Sequence, residues 1–88
     1  MILHVTEAEY RGGYRIWLAF NDGTSGLADL AGHLTGPVFK PLQALRTFRR
    51  FRVDPVLNTV VWPNGADFSP DFLYEIGAAV DWRRETVA

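Results

Sequence analysis

Asp22, Asp29, Asp67 and Asp71, with His4 and His33, are side chains of this sequence that could take part in proton transfer. A carboxylate pair works as acid and base only when both groups share a low-dielectric cleft that drives their pKa values apart. Here Asp22 is better explained by an Asn-Asp-Gly turn, Asp71 by the start of a helix and Asp67 by the loop that contains it. Ser25, Asp29 and His33 supply the residue types of a nucleophilic triad, but no nucleophile elbow or oxyanion-forming motif surrounds Ser25. The two histidines stand in different segments, without ligand spacing, and cysteine is absent. Thiolate metal sites, disulfides and cysteine nucleophiles are thereby excluded, and neither Gly12-Gly13 nor Gly65 makes a phosphate loop. The expectation is a chain with no catalytic residue, no cofactor and no metal, and therefore not an enzyme.

Arg46, Arg49, Arg50 and Arg52, interleaved with Phe48 and Phe51, are the one basic cluster, and arginine beside aromatic rings is what single-stranded nucleic acid uses. Helical spacing gathers Arg46, Arg49 and Arg50 on one face, opposite Leu42, Leu45 and Phe48. A solvated helix face looks the same. With a net charge of -1 and no recognition motif, nucleic acid is not the expected partner.

The elements that must position these groups are an antiparallel meander followed by mixed short elements. Residues 2–9 read as a first strand, Arg11-Gly12-Gly13 as a turn, and residues 14–20 as a second strand with Tyr14, Ile16, Leu18 and Phe20 toward the core. Asn21-Asp22-Gly23 marks a tight turn into a third strand over residues 24–30. Residues 31–41, with Gly32, Gly36, Pro37 and Pro41, predict a loop with one short helical turn. Pro41 then opens a short helix burying Leu42, Leu45 and Phe48. Residues 51–54 and 59–62 form a hairpin around a turn at 55–58. Ser69-Pro70-Asp71 starts a last helix whose apolar face carries Phe72 or Leu73, Ile76 and Val80. The fold class is α+β, an antiparallel sheet of a three-strand meander plus a hairpin with two short helices, in one domain over residues 1–88.

A chain of 88 residues is near the size at which a single core is only just sufficient, and 48% hydrophobic with 14% aromatic residues is rich for that length. No apolar run reaches transmembrane length, and the start of the chain meets His4 and Glu7 too soon for a signal peptide. A soluble cytoplasmic protein is expected.

Trp62-Pro63-Asn64-Gly65-Ala66-Asp67 is the most distinctive segment, a loop in which nearly every residue restricts or redirects the backbone. Asp67 is expected to accept amide hydrogen bonds from the turn it closes, so that Asp67→Ala costs about 1 kcal/mol. Together with Phe20-Asn21-Asp22-Gly23, Asp29-Leu30, the segment from Gly36-Pro37-Val38-Phe39 to Pro41-Leu42, then Pro70 and Leu73-Tyr74-Glu75, this block resembles the bacterial family known as domain of unknown function 2442. The resemblance spans most of the chain. It implies a small α+β fold without established enzymatic activity. It also implies relatives that carry a helix-turn-helix domain after this one, and others encoded beside a second small protein, as toxin and antitoxin pairs are. The sequence ends at Ala88, just after the last helix, and direct operator binding is not expected of it.

The reading that results is a protein-binding or regulatory module, antitoxin-like, acting on a protein partner or as a homodimer. Its candidate surface is Trp17, Trp62, Asn64 and Asp67, with Arg46, Arg49 and Arg50 as a lesser basic patch. The alternative is a small enzyme or small-molecule-binding protein using Asp67, Asn64 and His33, which requires a pocket that joins them.

Overall fold

Strands form where the alternation requires them. A computed structural model describes residues 2–78. In it β1 (Val5–Tyr10), β2 (Arg15–Phe20) and β3 (Ser25–Asp29) make an antiparallel three-stranded sheet in the order β1-β2-β3. Gly12 and Gly13 both have positive φ, which makes the first turn possible without strain. At the second turn the Asp22 carboxylate accepts bonds from the Thr24 amide at 2.9 Å and the Thr24 hydroxyl at 2.6 Å. These donors, the hydroxyl foremost, hold the Asp22 carboxyl below its ordinary pKa. Asn21 anchors the start of the chain from the same turn: its side chain accepts from the His4 amide and donates to the Ile2 carbonyl.

Ile16, Leu18 and Phe20 are buried, as the alternation predicts, and Tyr14 packs against them half-buried. The opposite face carries Arg15, Trp17 and Ala19, paired across the ladder with Asp29, Leu27 and Ser25. After β3 the chain makes a 3-10 turn over Ala31–His33, α1 (Gly36–Phe39), a second 3-10 turn over Lys40–Gln43, and α2 (Leu45–Phe48). This segment is more helical than the loop its glycines and prolines suggest.

Pro41 does not open one continuous helix. Ala44 is extended (φ -76, ψ 117) and separates the second 3-10 turn from α2. The break rotates the chain, so Leu42 and Phe48 are fully buried while Leu45, expected in the same stripe, is 44% exposed. β4 (Arg52–Asp54) and β5 (Thr59–Val61) then form a separate two-stranded sheet, tied to the start of β1 by the Val5 amide on the Asn58 carbonyl. α3 (Pro70–Ala78) starts as predicted, with the Ser69 hydroxyl accepting from the Phe72 amide at 3.1 Å. Leu73 is buried, Phe72 and Ile76 are half-buried against the core, and Val80 lies outside the described residues. α3 packs on β3 at Gly77, where an added Cβ would make ordinary van der Waals contact with that of Ala28 at 3.6 Å.

Candidate functional site

The loop from Trp62 to Asp67 is built on itself. The Gly65 amide donates to the Trp62 carbonyl and the Trp62 amide to the Ala66 carbonyl, both at 2.9 Å, and Asp67 forms a backbone bridge with Val61. Asn64 is the side chain that locks it: its Oδ1 accepts from the Ala66 amide at 3.1 Å, and its Nδ2 donates to the Val38 carbonyl of α1 at 2.9 Å.

Two expectations for this loop fail. Trp62 is 2% exposed and cannot belong to a binding surface. Its indole lies among Phe48, Phe51 and Phe68, and its Nε1 donates to the Phe48 carbonyl at 2.7 Å. Asp67 is exposed, and its carboxylate accepts no hydrogen bond among the described residues, so the turn-closing role expected of it falls to Asn64.

Beside the loop, Phe39 stacks on Phe68 at 4.6 Å and Phe68 on Phe72 at 5.4 Å, and His33 meets Phe72 edge-on. Among the described residues no hydrogen bond links His33 to Asn64 or Asp67. None links His33 to Ser25 or Asp29 either, and the Asp29 carboxylate instead takes the Ala31 amide. No group of three or more His, Cys, Asp or Glu side chains that could hold a metal ion occurs among the described residues. A cleft of about 410 Å³ does occur elsewhere, lined by Ile2, Leu3, His4, Leu57, Asn58, Pro70 and Asp71. Asn64, Asp67 and His33 are not part of it.

Arg46, Arg49 and Arg50 are all exposed, on α2 and just beyond its end. Arg49 lies over the Tyr10 ring at 5.1 Å, and Arg11 lies over the half-buried Trp17 at 5.6 Å. The Arg49 and Arg11 guanidinium groups therefore each have an aromatic partner within the fold.

The surface that the residue patterns did not point to is the tip of the β4–β5 hairpin. Val56 is 82% exposed and Leu57 52%, next to Ile2 at 77%. The tip is rigid, because the Asp54 carboxylate accepts from the Val56 amide at 2.8 Å and the Leu57 amide at 3.0 Å, and Asn58 takes a left-handed φ of 58. Those amides, Leu57 first, with Arg52 adding its charge, hold the Asp54 carboxyl below its usual pKa. A signal was present in the sequence: Val-Leu occupies a turn where Gly, Asn, Asp or Ser is the rule.

Lowered carboxylate pKa values in the folded state mean that stability is fully present above the unfolded value of 3.8 and is lost as pH falls through the folded values. Acid titration followed by circular dichroism should therefore show stability falling below about pH 4. Asp22→Asn with Asp54→Asn, which keep an acceptor without the charge, should flatten that dependence.

The family model described as a protein of unknown function (DUF2442) matches residues 5–79. The chain belongs to that family. The match includes the meander, the loop from Trp62 to Asp67 and the described part of α3, so the DUF2442 region and the described fold largely coincide. No curated protein and no solved structure matches the chain. Within the described DUF2442 fold, no helix is long and apolar enough to cross a membrane.

Proposed function

We propose that the protein is a non-enzymatic, cytoplasmic protein-binding module that docks an apolar segment of a partner protein on the β4–β5 tip. The observation that carries this reading is a rigid turn holding Val56 and Leu57 in solvent beside Ile2 and the adjoining cleft. Exposed aliphatic side chains on a mobile loop would collapse onto the fold or lose entropy on docking; here Asp54 has already fixed them. The exposed carboxylate of Asp67, which serves no hydrogen bond among the described residues, is a second contact point available to the partner. A regulatory, antitoxin-like role is the biological form this reading takes.

The test is co-expression with the product of the adjacent gene, followed by titration of the purified pair. Val56→Glu with Leu57→Glu should weaken binding by about tenfold or more, equivalent to about 1.4 kcal/mol, because each side chain contributes on that scale when buried. The thermal midpoint should stay unchanged, since neither side chain is core. A variant that binds as tightly as the parent refutes the reading.

A further inference from the structure

The far edge of β3 lies on a different surface from the hairpin tip. The Leu30 amide bonds to the Tyr14 carbonyl and the Phe20 amide to the Thr24 carbonyl, which fixes the phase of the ladder. By alternation, Thr24, Gly26, Ala28 and Leu30 turn their backbone groups toward β2, and Ser25, Leu27 and Asp29 turn theirs outward. Among the described residues no strand pairs with that outer side. Natural edges are blunted by lysine, proline or a bulge. The sequence Ser25-Gly26-Leu27-Ala28-Asp29 has neither residue, and its register with β2 is unbroken, whereas β1 carries an irregularity between Val5 and Glu7.

We propose that β3 pairs with β3 of a second copy of this chain, antiparallel and centred on Leu27, to form a continuous six-stranded sheet. The occupant is argued from the edge being complementary to itself. A two-fold axis at Leu27 sets Leu27 against its own copy and Ser25 against the partner's Asp29, and every facing pair can exchange both backbone bonds. The Asp29 carboxylate keeps one oxygen on the Ala31 amide, and the other is placed to accept the hydroxyl of the partner's Ser25. A register centred on Asp29 would instead bring two carboxylates face to face, which selects against it. Trp17 is the cross-strand neighbour of Leu27 on the same outer face. Pairing about Leu27 therefore joins Trp17 and Leu27 of both copies into one apolar stripe, flanked by the polar row of Arg15, Asp29 and the partner's Ser25.

Sedimentation equilibrium of the full chain at loading concentrations up to about 1 mM should show a reversible dimer. Ser25→Asp sets like charges opposite Asp29 twice per dimer and should weaken association about threefold to tenfold, while Ser25→Lys should strengthen it by a similar factor. The swap Ser25→Asp with Asp29→Ser restores the complementary pairing and should recover the parent affinity. Leu27→Pro removes an amide that β2 does not use, so it should give a monomer with an unchanged circular dichroism spectrum. A strictly monomeric parent, or a dimer whose affinity ignores the sign of the charge at position 25, overturns the proposal.

Discussion

Trp62→Ala is expected to cost about 3–5 kcal/mol, the range for removing a fully buried large aromatic side chain. A domain of this length has a total stability of about 4–13 kcal/mol, so the variant should lose a large share of it and should unfold outright if the parent stands at the low end. The size follows from the surroundings: Phe48, Phe51 and Phe68 all lose their central partner, and α2 loses the indole bond to the Phe48 carbonyl. Trp62→Phe separates these contributions. It keeps much of the ring volume but leaves that buried carbonyl without its donor, a loss of about 1–3 kcal/mol. Urea denaturation followed by far-ultraviolet circular dichroism decides the matter. A Trp62→Ala protein with an unchanged midpoint would show that the ring is not a core element.

Asn64→Ala is expected to cost about 1–2 kcal/mol, because both ends of one side chain lose hydrogen bonds to backbone groups. Asp67→Ala should stay within about 0.5 kcal/mol, as do most exposed substitutions away from special features. The contrast between the two is the informative quantity, since it separates the residue that locks the loop from a neighbour of similar chemistry. Equal losses in the two variants would mean that Asp67 carries a structural role after all.

The meander was legible because its cues are local. Alternation assigns Ile16, Leu18 and Phe20 to one face, and Asn21-Asp22-Gly23 permits one sharp reversal. The start of α3 was legible for the same reason, with Ser69 placed where free amides need an acceptor. Leu45 was not, since its spacing from Leu42 suits a continuous helix and the sequence does not announce the extended residue at Ala44. Trp62 and Asp67 depart from the sequence expectation for a different reason. A tryptophan at the end of a strand is core or surface depending on what packs beside it, and Phe48 and Phe68 arrive from other elements. Likewise, either Asn64 or Asp67 could cap a turn locally. Asn64 is favoured because only an amide can both accept from Ala66 and donate to a carbonyl, and that carbonyl belongs to the distant Val38.

The bond from Asn64 to Val38 spans 26 residues, whereas the pairings of β1, β2 and β3 run through two short turns. Contacts near in sequence close at small entropic cost and tend to form early, while an exposed long-range clasp fastens only once both of its segments are in place. Its energy should therefore be absent from the folding transition state and present in the barrier to leaving the native state. In a chevron plot the share of the Asn64→Ala loss that belongs to the Val38 bond should fall on the unfolding limb, and only the share from the local Ala66 bond should slow refolding. When cleavage outpaces reclosing, the lifetime of the native chain against a protease is governed by that second limb. A single amide on the surface would then lengthen the survival of the protein more than it hastens the moment it is made ready.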